Sequence, residues 1–332
     1  MGIPDASVKA LLCERLTDDL SGLRLATVPC QSPGIGELLI RVRAAGVAFP
    51  DVLMARGLYQ HRPTLPFVAG MEAAGEVVAI GPGVPNFAIG ERVCAVLRSG
   101  AIAESIVVLA SQVRRIPDGL DFAHGAAFHN GALTAYVALV RRALLAQGET
   151  LLVHGATGGV GVAAVQLGLH LGACVIATGT SDEKLAFVKS IGAHHVLNTR
   201  SGFKDAVKSV TGGRGADVVF DPVGGDILDE SLRCIAWGGR LLVIGFAGGR
   251  IASVPSNIPL IKGFAVIGVR AGEYGRRDPE KGRENIEAID RLVGDGVMVP
   301  HIHARVPFER ALDAYRMISE RMLIGRVVIE FD

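Results

Sequence analysis

Aromatic residues make up only 5% of the chain, and no apolar run reaches the ~20 residues that a membrane-spanning helix needs. The apolar residues are interrupted throughout by Gly, Pro or charged residues, which argues against a membrane protein. Acidic and basic residues nearly balance at a net charge of +1, and no basic block is present, so nucleic acid is not an expected partner. The N-terminal residues lack the basic-then-apolar pattern of a secretory signal, and we expect a cytoplasmic protein.

The chain is also poor in cysteine spacings that would indicate a metal site or a disulfide framework. Its five cysteines are widely separated, and without a secretory signal we expect reduced, buried thiols. They are Cys13, Cys30, Cys94, Cys174 and Cys234.

The length and the changing pattern of the chain predict two domains, since 332 residues is long for one hydrophobic core. The first 120 or so residues are rich in Gly, Pro and short β-branched runs, and 38–42 and 104–108 predict strands of an irregular, mostly-β domain. From residue 124 to 264, apolar runs alternate with helical stretches, which predicts a parallel sheet covered by helices.

The C-terminal part of the chain changes pattern again. Residues 284–293 and 308–321 have the periodicity of amphipathic helices. Residues 326–331 predict a strand that returns to the first domain. The chain contains no convincing internal repeat and no low-complexity segment.

The strongest chemical signal is the stretch His-Gly-Ala-Thr-Gly-Gly-Val-Gly at 154–161, between a predicted strand and a predicted helix. Gly155, Gly158 and Gly161 lack the β-carbons that would keep the backbone away from a pyrophosphate. The helix N-terminus offers free N–H groups and a positive dipole end to that anion. No Lys-Ser/Thr pair follows the glycines, which excludes a P-loop. The pattern predicts a dinucleotide site rather than a plain tight turn.

The choice of dinucleotide depends on the end of the second strand, near Thr178. NAD-binding sites usually place an acid there, about 20 residues past the glycines, to hold the ribose 2′-hydroxyl; this chain has none at that strand tip. Ser181 is predicted to cap the next helix, so the two acids after it are structural. Lys184 is the candidate partner of a 2′-phosphate, and Arg200 is the second candidate. The sequence favours NADPH over NADH.

The chain resembles the medium-chain dehydrogenase/reductase superfamily, in its zinc-independent quinone oxidoreductase (zeta-crystallin-like) branch. The similar stretches run in order along nearly the whole chain: 46–51, 57–59, 65–67, 70–75, 133–136, 155–161, 221–225, 238–240, 244–249 and 267–270. The resemblance implies an α/β protein with a GroES-like, mostly-β catalytic domain from residues 1–123 and 265–332. It implies a Rossmann NADP(H)-binding domain, with a doubly wound parallel sheet, over 124–264. The active site would lie in the cleft between the two domains.

Two positions separate this branch from its zinc-dependent relatives. Zinc alcohol dehydrogenases of the superfamily have Cys and His where this chain has Ala48 and Met71. Neither side chain supplies a thiolate or an imidazole, and the carboxylates that remain nearby do not make such a site without the softer ligands. His301 and His303 would share one face of a strand, but no third ligand is evident. We therefore expect no metal.

Without a metal, we expect hydride transfer to an acceptor that is already electron-poor. The resemblance implies that Thr134, Phe246, Ala247, Val269 and Arg270 lie along the nicotinamide and that Thr199 lies near the adenosine phosphate. The expected cofactor-binding residues are Thr134, Gly155, Gly158, Gly159, Val160, Gly161, Thr180, Ser181, Lys184, Thr199, Phe246, Ala247, Val269 and Arg270.

The proton donor is less well marked. Tyr59 is the candidate catalytic residue, because its stretch borders the cleft in similar proteins, although it would serve equally as an aromatic wall. Asp51 is expected to be a structural hydrogen-bond acceptor, and solvent can supply a proton to an enolate or a hydroquinone anion. Relatives usually have Asn at position 48, and Ala48 cannot make that hydrogen bond.

These observations together predict an NADPH:quinone oxidoreductase. An NADPH-dependent reductase of activated alkenes (enones, haloacrylate or acryloyl thioesters) and a non-catalytic NADPH-binding protein remain as alternatives. We also expect a homodimer, because relatives often pair through the edge of the Rossmann sheet and the strand 264–269 is apolar.

Overall fold

The structure is a computed structural model and describes residues 6–332. The strands are β1 (Ala6–Cys13), β2 (Leu23–Cys30), β3 (Glu37–Val47), β4 (Phe67–Val68), β5 (Glu72–Ile80), β6 (Arg92–Val96), β7 (Ser105–Leu109), β8 (Val113–Arg115), β9 (Thr150–Val153), β10 (Cys174–Gly179), β11 (His195–Asn198), β12 (Ala216–Asp221), β13 (Ile235–Val243), β14 (Ala265–Gly268), β15 (Ile302–Pro307) and β16 (Arg326–Glu330). The helices are α1 (Phe49–Ala55), α2 (Phe122–Gly125), α3 (His129–Tyr136), α4 (Gly159–His170), α5 (Asp182–Ser190), α6 (Lys204–Val210), α7 (Gly225–Ser231), α8 (Asn257–Lys262), α9 (Ala271–Arg277), α10 (Pro279–Gly294) and α11 (Ala311–Ser319). Within this described range, no helix has both the length and the apolar character to cross a bilayer.

The chain divides into two compact units. The first unit contains the described residues up to 129 together with 302–332, and the second unit contains residues 130–301. The predicted boundary at 264/265 differs from this division, because β14 pairs in parallel with β13 and so belongs to the sheet of the second unit. The helices α9 and α10 follow β14 within the same unit.

The second unit is built around a six-stranded parallel sheet. Its strand order is β11-β10-β9-β12-β13-β14, and every neighbouring pair is parallel. This is the doubly wound strand order. Successive strands are added on one side of the first strand and then, from the fourth strand on, on its other side, so the order reverses between β9 and β12. Ligands of such sheets bind at the carboxyl ends of the strands beside that reversal. The predicted α/β class and Rossmann sheet are confirmed.

The first unit is mostly β-structure. One sheet has the order β2-β1-β4, and a larger one runs β15-β16-β3-β5-β6-β8, with β7 pairing with β3. The C-terminal strand β16 pairs antiparallel with β3, with Val327 opposite Val47, which confirms the predicted return of residues 326–331. In the predicted helix 308–321, Phe308–Arg310 form a 3₁₀ turn and Ala311–Ser319 form α11. Tyr315 of α11 is buried in the core of this unit.

Candidate functional site

The glycine turn of the second unit connects β9 to α4. Gly155 has a φ of +55°, in the left-handed region that favours glycine. A β-carbon on Gly161 would come within 2.3 Å of the Gly155 carbonyl oxygen. On Gly158, by contrast, a β-carbon would meet its nearest neighbour at 3.5 Å. Gly155 and Gly161 are therefore required by the turn itself, whereas the fold alone does not require glycine at 158.

A buried histidine supports this turn. His154 Nε2 lies 2.8 Å from the Ser231 hydroxyl, and Nδ1 lies 2.8 Å from the Thr178 hydroxyl. Because Ser231 donates its own proton to the Ile227 carbonyl, its oxygen accepts from Nε2–H, and Nδ1 accepts from Thr178. Burial lowers the pKa of His154 to about 3. A neutral imidazole thus joins β9, β10 and α7 next to the first glycine.

From the sequence, His154 was predicted only to be the first residue of the glycine stretch 154–161, with no role of its own. A histidine that ends an otherwise apolar strand directly before a glycine was the one available signal. That signal does not distinguish an exposed side chain from a buried bridge, because the partner Ser231 lies far along the chain.

The proposed 2′-phosphate end lies at the carboxyl ends of β10 and β11, which pair with Gly179 opposite Asn198. The Ser181 hydroxyl accepts from the Lys184 backbone N–H at 3.4 Å, as predicted for a helix cap. The Thr199 hydroxyl donates to the Gly179 carbonyl at 3.3 Å. The structure therefore brings Thr180, Ser181, Lys184 and Thr199 to one edge of the sheet.

One acid near this edge, Asp182, has a hydrogen-bond donor within the protein. Asp182 Oδ1 accepts from the Asn198 side chain at 2.8 Å, a contact that the sequence analysis missed. Lys184 is half-buried, and burial lowers its pKa. Arg200 is exposed, and its backbone N–H donates to Asn198 Oδ1 at 3.1 Å. This edge carries cations and hydroxyl groups, and Asp182 beside them already has a hydrogen-bond donor.

The residues expected along the nicotinamide follow β13 and β14. The Ala247 N–H donates to the Pro222 carbonyl at 3.0 Å, and the Val269 N–H donates to the Val243 carbonyl at 3.0 Å. Phe246 is 40% exposed, so its ring is available to a ligand. These contacts bring the loops after β12, β13 and β14 together at the carboxyl edge of the sheet.

Two further residues shape this edge. Asp221, the last residue of β12, accepts from the N–H groups of Val223 and Gly224 at 2.8 and 2.9 Å, and burial raises its pKa. Thr134 is half-buried in α3, whose Gly131 packs closely on Gly159 at the start of α4. In the sequence, Asp221 was noted only as part of the stretch 221–225 that resembles the superfamily. The structure shows that its side chain holds the loop after β12.

In the first unit, Ala48 follows the end of β3 and Met71 precedes β5. Gly46 pairs with Glu72 across these strands, so the two positions that carry zinc ligands in relatives are neighbours. The Ala48 N–H donates to Asp51 Oδ2 at 2.8 Å. Ala48 and Met71 are both buried, and an alanine methyl and a thioether replace the two soft ligands.

The carboxylates beside these positions are buried as well. Glu72 forms a buried ion pair with Arg326, which neutralises a charge that a metal could otherwise balance. Burial raises the pKa of Asp51 to about 7, and the nearby Glu72 acts in the same direction while Arg326 opposes it. Among residues 6–332, no group of three or more His, Cys, Asp or Glu side chains is placed to hold a metal ion.

The remaining predicted residues make contacts within their own units. Tyr59 is half-buried against the core of the first unit. The His301 ring lies 4.3 Å from the Phe187 ring. His303 Nδ1 accepts from the Ile324 N–H at 3.4 Å.

Known proteins resemble the chain over nearly its whole length. The alcohol dehydrogenase GroES-like domain matches residues 34–146, and the zinc-binding dehydrogenase family matches residues 159–291. The quinone oxidoreductase-like protein 2 homolog of Nematostella vectensis is 35% identical over 97% of this chain and 89% of its own length. The 2-haloacrylate reductase of a Burkholderia species is 32% identical over 90% of this chain and 92% of its own length. A mycobacterial protein solved in complex with NADPH is 31% identical, covers 97% of this chain and 100% of its own, and has a TM-score of 0.89.

A GroES-like domain combined with a Rossmann sheet and a glycine turn defines an oxidoreductase of the medium-chain dehydrogenase/reductase superfamily. Within it, the chain belongs to the quinone oxidoreductase family. The predicted family is confirmed.

Proposed function

We propose that the protein reduces quinones with NADPH, by direct hydride transfer and without a metal. The observation that carries this proposal is the pair Ala48 and Met71, with the adjacent Glu72 already neutralised by Arg326. A site without a Lewis acid favours an acceptor whose carbonyl needs no metal to polarise it, and a quinone meets that condition.

The residues of the second unit fit NADPH. The glycine turn and the N-terminus of α4 hold the pyrophosphate. Thr180, Ser181, Lys184 and Thr199 hold the 2′-phosphate, with Lys184 supplying the charge. Thr134, Phe246, Ala247, Val269 and Arg270 position the nicotinamide, which supplies the hydride when bound.

Protonation completes the reduction. Tyr59 hydrogen-bonds the substrate oxygen, and the proton comes from solvent, because a hydroquinone anion needs no dedicated acid. Asp51 serves as the acceptor that fixes the Ala48 backbone. This reaction needs no Lewis acid in the first unit.

Reduction of activated alkenes is the second candidate. It is favoured by the 32% identity to the 2-haloacrylate reductase, which extends over 92% of that enzyme. An alkene conjugated to a carbonyl accepts hydride at an electron-poor carbon, so the same metal-free site and cofactor serve it.

A substrate panel tests the proposal. NADPH oxidation is followed with quinones, enones, 2-haloacrylate and acryloyl thioesters, each with NADH as the comparison. Turnover of quinones above the alkenes supports quinone reduction, and the reverse order supports the second candidate. Tight NADPH binding without turnover of any acceptor would contradict both and favour a non-catalytic NADPH-binding protein.

We further propose that the protein is a homodimer that pairs through β14. This strand is the edge of its sheet, and Val266 on it is 41% exposed. Leu260 and Trp237 are each 80% exposed, and the Trp237 indole lies over Gly263, where a β-carbon would be 3.0 Å from the ring. Apolar side chains grouped at a sheet edge are typical of a surface that another chain covers.

Light scattering tests the dimer, and the single tryptophan reports whether the edge is covered. Val266→Lys should give monomers and a red-shifted Trp237 emission, since a charged edge resists pairing. Val210→Lys is the matched control, because Val210 is 40% exposed on α6. A wild-type mass of 34.7 kDa across dilution would reject the dimer.

A further inference from the structure

Two arginines of the first unit differ from most of their neighbours. Arginines of this unit commonly bind carboxylates, as Arg43 does with Glu76 at 3.0 Å and Arg305 with Glu330 at 2.9 Å. Arg62 and Arg98 are exposed, and neither forms a hydrogen bond or an ion pair with any residue from 6 to 332. Their guanidinium groups are therefore free to bind an anion from solution.

Both arginines lie on segments that border the Ala48–Met71 position. Helix α1 begins immediately after Ala48, and the segment 57–66, which carries Arg62, follows that helix. The Leu97 N–H donates to the Met71 carbonyl at 2.8 Å, so Arg98 is the next residue beyond that contact. The Arg98 segment therefore contacts this position through Leu97, and the Arg62 segment follows the helix that begins there.

The same segment exposes apolar side chains. Leu58 is 64% exposed and Leu65 is 39% exposed, on either side of Arg62 in sequence. Tyr59, between them, packs against the core. An apolar surface next to unpaired guanidinium groups suits a molecule that is apolar at its reactive part and anionic elsewhere.

We propose that the physiological substrate carries an anionic group, a carboxylate or a phosphate, apart from its hydride-accepting carbon, and that Arg62 and Arg98 recognise that group. This inference rests on the proposed function, because it names the charge of the molecule that the same site reduces. A guanidinium matches the two oxygens of a carboxylate or phosphate in a forked geometry that an ammonium cannot provide. Because both side chains are exposed, each contributes a modest effect that salt reduces.

Paired substrates test the proposal, each pair having the same acceptor with and without a charge. One pair is 2-haloacrylate and its methyl ester, for a carboxylate. Another is an acryloyl thioester of coenzyme A and that of N-acetylcysteamine, for a phosphate. A naphthoquinone and its sulfonate serve as the quinone pair. The quantity measured is the ratio of kcat/KM for the anionic member to kcat/KM for the neutral member, compared between protein variants so that intrinsic reactivity cancels.

Arg62→Gln and Arg98→Gln should each lower this ratio about two- to fivefold, the range of an exposed ion pair. The double variant should lower it by about the product of the two, and added salt should reduce the difference. Arg41→Gln is the matched control. The Arg41 side chain is also exposed and forms no hydrogen bond or ion pair among residues 6–332, but it lies on β3. Its ratio should equal that of the wild type. The pair with the larger change identifies the anion as carboxylate or phosphate.

An unchanged ratio in the double variant would overturn the proposal. An equal drop of the ratio in Arg41→Gln would also overturn it, because that result would indicate a general electrostatic attraction of the anion and not its recognition by Arg62 and Arg98. Either result leaves the proposed reductase function intact as long as the neutral member of a pair is turned over with NADPH. Failure of every acceptor, neutral members included, would instead contradict the proposed function itself.

Discussion

The glycine turn of the second unit and the Ala48–Met71 position of the first unit are specified in different ways. The turn is dictated by backbone sterics, since a β-carbon on Gly161 would come within 2.3 Å of a carbonyl oxygen. The other position is defined by the lack of Cys and His ligands at 48 and 71, and by Glu72, whose charge Arg326 neutralises. Backbone requirements identify a cofactor class, whereas side-chain replacements identify which chemistry of a superfamily is retained.

The largest expected effect concerns the buried ion pair. Glu72→Gln leaves the Arg326 guanidinium buried without its counter-charge, which should lower the free energy of unfolding by about 3–5 kcal/mol. Denaturant unfolding measures it. Glu76→Gln, on the same strand but in a half-exposed pair with Arg43, should cost less than about 1 kcal/mol. Equal losses in the two variants would show that burial does not distinguish the pairs.

The second effect concerns cofactor choice in the other region. Lys184→Ala should weaken NADPH binding by about 10- to 150-fold, because a charge-assisted contact to phosphate is worth about 1.5–3 kcal/mol. NADH affinity should hardly change, and high salt should reduce the loss. Titration of both cofactors with the wild type and the variant measures this, and Arg200→Ala tests the second candidate cation in the same way. Equal loss for NADPH and NADH would make Lys184 structural, and no loss would direct attention to Arg200.

A pair of glycine substitutions separates folding from binding in the turn. Gly161→Ala should destabilise the protein by about 1–3 kcal/mol through overpacking, because its β-carbon meets backbone. The β-carbon of Gly158→Ala has room in the fold, so this variant should melt near the wild-type temperature. It should bind NADPH more weakly, because the added methyl group would occupy the space of the pyrophosphate. Calorimetry and cofactor titration check both. Unimpaired NADPH binding by Gly158→Ala would contradict the proposed position of the pyrophosphate.

The last effect is spread over several pH units: it is the pH dependence due to Asp51, whose folded pKa is raised to about 7 from 3.8. Between these values the folded state holds a proton that the unfolded state has lost. Its stabilising contribution is therefore full below the unfolded pKa and is lost as the pH rises toward 7, by at most about 1.4 kcal/mol per pH unit. Asp51→Asn should flatten this part of the curve of unfolding free energy against pH. An unchanged slope would contradict the raised pKa.

Local patterns predicted much of the molecule. The glycine spacing, the Ser181 cap and the returning strand at 326–331 all rest on neighbours in sequence or on periodicity, and the structure confirms them. The bridge from His154 to Ser231, the contact of Asn198 with Asp182 and the pairing of Glu72 with Arg326 join residues far apart in the chain. No local pattern encodes such pairs, because burial decides whether a polar side chain becomes a partner or a surface group.

Metal-free hydride transfer is the central claim, and one measurement tests it most directly. The purified protein is treated exhaustively with a chelator, its zinc content is determined by elemental analysis, and NADPH oxidation is followed with the best acceptor before and after treatment. Because Ala48 and Met71 occupy the positions of the two soft ligands, the rate should be unchanged and zinc should be far below one equivalent per chain. A tightly held zinc ion whose removal stops turnover, and whose return restores it, would contradict the account.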